Sequence, residues 1–288
     1  MRAFLLFLLA PALLSAAAPA PVAKPALWKI ADADTTIYLF GTVHVLKPGV
    51  DWFHGPVATA FAASDQVVLE MVEPPPAEAN AIMLAHAVDP DGPPLSAKLG
   101  AKDAARLHAL LTGWGINPMS LETMEPWFVS TLVSLLPLQK LGYDPATGVD
   151  RTLAKAAQDA GKPVEGLETM AQQIGYFDAL PEQDQLAMLR ESLKEAPEMQ
   201  EMADKMTQSW AKGQTGALAA LTRKGMDETP KMTRILLTDR NRRWANWIAQ
   251  RLNQPGTVFV AVGAAHLAGK DSVQQDLARL KLRVARIN

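Results

Sequence analysis

The stretch YLFGTVHVL (residues 38–46) is an apolar run that meets a glycine and, three residues later, a histidine. A short apolar run of this kind suits a strand buried on both faces of a sheet, with the glycine opening the loop beyond it. Near the other end of the chain VFVAVGAAHL (258–267) repeats the arrangement. In open α/β sheets, ligands sit in the crevice beyond the carboxyl ends of the strands. Two Gly-x-x-His strand ends therefore predict that His44 and His266 meet in space and build one site.

Working outward, LWKIA (27–31) and TTIYLFG (35–41) predict two strands joined by the turn DAD (32–34). GPVATAFAAS (55–64) has helical spacing and leads into DQVVLEM (65–71), a third strand. Beyond the stiff break EPPPAEAN (73–80) most of the chain has helical periodicity. AKDAARLHALLTGWG (101–115), PWFVSTLVSLLPLQKLG (126–142) and GVDRTLAKAAQDAG (148–161) are examples, the last ending at Gly161. KPVEGLET (162–169) predicts a short strand running into a helix that starts near Thr169. From 180 to 256 only helical periodicity is visible. The end returns to strand, helix, strand with TVFVAVG, DSVQQDLARL and LRVARI.

The expected fold class is α/β: a central mixed or mostly parallel sheet built from N- and C-terminal segments, with a large helical insertion or cap. Residues 1–20 have the order of a secretory signal peptide, with Arg2, then an apolar run, then small residues. Residues 21–26 form a linker, and 27–288 a single α/β domain with a helical middle at about 76–252. Export to the periplasm or the medium follows as an expectation, with no membrane span left after cleavage.

Composition narrows the chemistry. The 288 residues carry a formal net charge of −2, so there is no basic excess to neutralise phosphates and nucleic acid is not an expected partner. The absence of cysteine excludes disulfides, thiol nucleophiles and cysteine zinc sites. Four strand ends deliver polar groups: Thr42 and His44; Glu70; Glu165 and Glu168; and His266. Two histidines with one or two carboxylates form a first shell for a divalent metal such as zinc, manganese or cobalt. Without metal, His44 and Glu70 can serve as a base and its orienting carboxylate. Arg240 in DRNRRW (239–244) is either part of a solvated helix face or a fork for a substrate carboxylate or a developing negative charge.

The bland readings compete at each position. His54 suits a helix start, and His86 and His108 lie inside helical patterns, where structural roles are usual. Met199, Met202, Met206 and Trp210 recur at helical steps, a core-facing stripe or a flexible peptide groove.

Taken together, LWKI, YLFGTVHVL, DQVVLE, GVDRTLAKAAQDAGKPVEGLET, DRNRRWANWI and VFVAVGAAHL resemble the TraB/GumN family, whose eukaryotic relatives include the Tiki proteases. The resemblance implies a fold related to the erythromycin-esterase and ChaN-like group. In the Tiki branch it implies metal-dependent peptidase activity, with His44, His266 and Glu70 at the site. Glu168, Arg240 and Asn241 match other family positions. The loop after Glu70 departs from some relatives, with Met71 and Val72 before Glu73. The expected function is an exported metal-dependent hydrolase acting on a peptide or protein substrate. The alternatives are a non-catalytic peptide-binding module and a metal-independent His/Glu hydrolase.

Overall fold

The computed structural model describes residues 22–226 and 230–288. The expected leader, residues 1–20, lies outside the described residues. Six strands form one sheet: β1 (Leu27–Ala31), β2 (Thr35–Thr42), β3 (Gln66–Met71), β4 (Val164–Glu168), β5 (Gly256–Gly263) and β6 (Ala285–Arg286). Their spatial order is β4-β3-β5-β2-β1-β6. β2, β5, β3 and β4 run parallel, while β1 pairs antiparallel with both β2 and β6.

Side-chain alternation explains why the central strands are apolar throughout. Phe40 of β2, Val67 and Leu69 of β3 and Phe259 and Ala261 of β5 face one layer. Val149, Leu153 and Ala157 of the helix Val149–Asp159 close that layer. Ile37, Leu39, Val68, Val258, Val260 and Val262 face the other, where the helices Asp239–Arg251 and Val273–Arg279 supply Trp244, Ile248 and Leu277. Helices on both faces are what an α/β sheet of parallel strands requires.

The β1–β2 turn follows its sequence. The Asp32 carboxylate accepts the backbone N–H of Thr35 at 2.8 Å and of Asp34 at 3.2 Å, an aspartate folding the chain back on itself. The segment before β1 is docked, with Ala23 N–H on Asp51 O at 2.7 Å and Lys24 N–H on Ala211 O at 2.6 Å.

The helical middle packs its own cluster, in which Leu107, Leu111, Val129, Val133, Leu189 and Leu193 are buried together. β4 comes from within this middle and joins the sheet edge beside β3. The expected final strand shrinks to two residues, because only Ala285 and Arg286 find partners on β1. Leu282 and Val284 pack against the core instead. No helix among the described residues is long and apolar enough to cross a membrane.

Candidate functional site

Strand register creates the site. β2 and β5 pair in parallel with Gly41 opposite Val262 and Thr42 opposite Gly263, although more than 200 residues separate them. The two Gly-x-x-His segments therefore leave the sheet side by side. β3 and then β4 follow on the β5 side, with Met71 opposite Glu168.

Gly263 marks the centre. A Cβ placed there would lie 3.2 Å from Glu70 Oε2, 3.5 Å from His266 Cδ2 and 3.8 Å from His44 Nε2. His44, His266 and Glu70 thus surround one point, and any side chain at position 263 would crowd it. The Gly263 N–H donates to Glu70 Oε2 at 2.9 Å.

His44 is held from behind. Its Nδ1 meets Asp150 Oδ2 at 2.9 Å, and the Thr42 hydroxyl donates to Asp150 Oδ1 at 2.5 Å. Asp150 lies in the first turn of Val149–Asp159. Gly148, just before that helix, allows the approach, since a Cβ there would sit 2.3 Å from the His44 carbonyl oxygen. The Val149 N–H donates to Val43 O at 2.9 Å. With Nδ1–H given to a carboxylate, Nε2 is the atom His44 turns to the crevice. The hydrogen bond to Asp150 raises the His44 pKa to about 9, with the Asp150 and Glu70 charges adding to it. The crevice walls and Arg240 oppose that rise. Because the side chain is 67% exposed at the crevice mouth, water screens the pairing.

His266 is the opposite case. It is buried and rests 4.4 Å from the Trp244 ring. The Asn241 amide N–H donates to Asp271 O at 2.6 Å, which leaves Asn241 Oδ1 as acceptor for His266 Nδ1 at 2.6 Å. That assignment puts the proton on Nδ1 and the lone pair on Nε2, where Arg240 Nη1 approaches at 3.4 Å. Burial pushes the His266 pKa down to about 3, the Arg240 and His44 charges adding, against the attraction of Glu70.

Arg240 ties the acids together. A π-helical turn, Arg234–Thr238, precedes its helix, and Leu236 O of that turn accepts Arg240 Nη1 at 3.1 Å. Nη2 donates to Glu70 Oε1 at 2.5 Å and to Glu168 Oε2 at 2.6 Å, and Nε reaches both Glu168 oxygens at 3.0 Å. The guanidinium also stacks 4.8 Å from Trp244 and 5.6 Å from Tyr176. Burial alone would raise the Glu70 pKa. The charges of protonated His266, Arg240 and His44, with the Gly263 N–H, outweigh burial and bring it down to about 2. The Arg240 pKa is raised: burial lowers it, but the Glu168 hydrogen bond and the two carboxylate charges prevail.

The capping box of Thr169 and Gln172 starts the helix Met170–Asp178. That helix presents Gln173, whose amide donates to Glu70 at 3.0 Å and Glu168 at 3.2 Å, and Tyr176, whose hydroxyl donates to Glu168 at 3.2 Å. Glu168 is therefore engaged on both oxygens.

His44, Glu70, Glu168, Arg240 and His266 are all brought together. Glu165 is not: it is exposed and lines a different surface cavity with Gln66 and Trp247. His54 bonds Ala23 O at 3.0 Å, His86 pairs with Asp178 at 2.7 Å and His108 with Glu122 at 3.2 Å, all away from the site. Met206 packs against the core and the Trp210 indole donates to Gly41 O at 2.8 Å, fixing the first glycine of the site. Sequence reading missed Asp150, Gln173 and Tyr176 as partners. Asp150 stands in the quoted GVDRTLAKAAQDAG, but nothing in its spacing connects it to a histidine 106 residues earlier.

The titrations set a stability expectation. Glu70 is depressed from 4.5 to about 2 and His266 from 6.5 to about 3, so between these limits the unfolded chain binds more protons. The stability that these two groups contribute is then fully present above pH 6.5 and lost on acidification, first through His266 and below 4.5 through Glu70 as well. Melting temperatures of chelator-treated protein should fall as pH drops from 6.5 to 3, and His266→Gln should flatten the upper part of that slope. A flat profile in the wild type would refute the assignment.

The sequence model of the TraB/PrgY/gumN family matches residues 26–286. Among curated proteins the chain is 27% identical over 185 residues to Uncharacterized protein YbaP of Escherichia coli (strain K12), covering 64% of this chain and 67% of that protein. The Shigella flexneri protein of the same name matches to the same extent. No solved structure was matched. With the family model spanning nearly all the described residues, this chain belongs to the TraB/PrgY/gumN family.

Proposed function

We propose that the chain is a metal-dependent hydrolase acting on peptide bonds, and that His44, His266 and Glu70 are its metal ligands. One observation carries this reading. Both histidines have Nδ1 tied to an outer partner, Asp150 or Asn241; His44 Nε2 and Glu70 Oε2 face the point beside Gly263, and His266 borders it with Cδ2 while its Nε2 meets Arg240 Nη1. Outer-shell hydrogen bonds at Nδ1 are the usual support for imidazole ligands.

The donor set of two imidazoles and a carboxylate suits zinc, manganese or cobalt. Among the described residues no three His, Asp or Glu side chains already stand at ligating positions. Arg240 fills the space between His266 and the two carboxylates, so its Nη1 must release His266 Nε2 when an ion is bound. A bound divalent ion would polarise the scissile carbonyl and acidify a water. The protein residues supply the rest. Asp150 keeps the His44 Nδ1 proton, so that Nε2 is the nitrogen that loses its proton on loading. Asn241 holds the Nδ1 proton of His266, whose Nε2 already carries its lone pair. Glu70 stays ionised. Arg240 remains a cation within the site, placed to favour negative charge developing on the substrate oxygen. The overall reaction adds water across the C–N bond and yields a carboxylate and an amine.

The test is metal content after dialysis together with peptide turnover. Wild type should retain one ion per chain, and His44→Ala and His266→Ala should each lose ion and turnover while folding normally. Glu70→Gln separates roles: loss of both ion and turnover marks a ligand, loss of turnover alone marks a base.

A second reading is favoured by the Arg240 contact itself. A cation already bridges Glu70, Glu168 and His266, and His44 Nε2 keeps its proton at neutral pH. In that case hydrolysis is metal-independent: water attacks the carbonyl carbon and gives a proton to Glu70, the C–N bond breaks as His44 gives its Nε2 proton to the departing amine, and the proton on Glu70 restores His44. Turnover surviving exhaustive chelation would select it.

A further inference from the structure

We propose that the crevice beside His44 and Glu70 is a binding pocket for an uncharged apolar side chain of the substrate. This inference rests on the peptide-hydrolase reading above and specifies its substrate class. The cavity has a volume of about 480 Å³, within the range of ligand sites. The C-terminal loop of β3, the helix Val149–Asp159 and the helix Pro126–Lys140 enclose it.

Its charges sit at two places. His44, Glu70 and Asp150 occupy the chemical end, and Glu73 and Arg151 stand elsewhere in the lining. Glu73 and Arg151 pair with each other at 2.8 Å, so neither presents an uncompensated charge. Apart from Gln173 the remaining wall is apolar, with Val45, Leu69, Met71, Val72, Leu135 and Ala154 among its side chains.

A second observation points the same way. Val72 and Leu135 are 42% and 43% exposed, large apolar side chains that the fold leaves uncovered. They come from separate elements and line the same cavity. Scattered apolar side chains on a surface need no explanation, but two that converge on a site-flanking cavity form a surface that burial by a ligand would stabilise. A charged side chain seated on the apolar wall, away from the chemical end, would lose water against Val72 and Leu135 without a partner there. Gln173 lines the same cavity beside Glu70 and supplies a polar contact near the chemical end.

The experiment measures binding apart from turnover. Calorimetry on chelator-treated wild-type protein compares two blocked tripeptides, acetyl-Ala-Leu-Ala-amide and acetyl-Ala-Asp-Ala-amide. The leucine peptide should bind at least about tenfold more tightly, the scale of apolar pocket discrimination. Leu135→Glu, on an exposed helix position, should fold normally by circular dichroism and remove that preference. Equal affinity for the two peptides, or a preference that survives both Leu135→Glu and Val72→Glu, would overturn the pocket. The hydrolase reading fails separately: selective binding of the leucine peptide with no cleavage under any metal loading would keep the pocket and remove the reaction.

Discussion

Arg240→Met should destabilise the protein by about 3–5 kcal/mol, the cost of leaving one side of a buried charge arrangement without its partner. Glu70 and Glu168 are both buried, and Arg240 reaches each of them with at least one short hydrogen bond. Methionine fills a similar volume but offers no positive charge, so two carboxylates would face each other across a water-poor space. One or both would take up a proton, and the Glu70 pKa would rise from about 2. For a chain of this size the melting temperature should drop by roughly 10 °C. Adding Glu168→Gln to Arg240→Met should recover part of the loss, because it removes one of the opposed charges. Denaturant unfolding of the single and double variants measures both terms. A loss below about 1 kcal/mol for Arg240→Met would show that water reaches the carboxylates and that the pairing is weak.

Asp150→Asn should leave the fold intact and lower kcat/KM by up to about 100-fold, the scale seen when an outer partner of a functional imidazole is removed. The carboxylate of Asp150 is the main reason that the His44 pKa is raised to about 9. An amide at this position keeps the shape but not the charge, so the His44 titration should return toward its ordinary value near 6.5. Imidazole proton resonances followed by NMR report this directly, and a purely structural Asp150 would not move them. The sign for stability is opposite to that of His266. A raised histidine favours the folded state below pH 6.5 and loses that contribution as pH climbs toward 9, weakly here because the side chain is exposed. Asp150→Asn should therefore reduce any alkaline loss of stability in the wild type. An unchanged His44 titration would break the proposed link between the dyad and the chemistry.

The sequence by itself determined the strands that carry the candidate site. Residues 38–46 and 258–267 are short apolar runs ending in Gly-x-x-His, and they became β2 and β5, the neighbouring parallel strands at the heart of the sheet. Apolar periodicity is local, and burial on both faces leaves a continuous trace of it, so the α/β class and the convergence of His44 with His266 were legible. The Thr169 helix start and the Asp32 turn were legible for the same reason: each side chain bonds backbone only two or three residues away.

Only the tertiary structure decided which groups face those histidines. Asp150 lies 106 residues beyond His44, Gln173 103 beyond Glu70, and Arg240 170 beyond Glu70. No local pattern records a partner at such a separation. Each pairing depends on where a helix lands on the sheet: Gly148 lets one helix close on the His44 carbonyl, and a π turn precedes the helix that delivers Arg240 to both acids. The protonation of the two histidines was equally hidden. Identical Gly-x-x-His motifs end in one exposed ring raised by an aspartate and one buried ring lowered by desolvation, because charge stability depends on surroundings that only the packed chain creates.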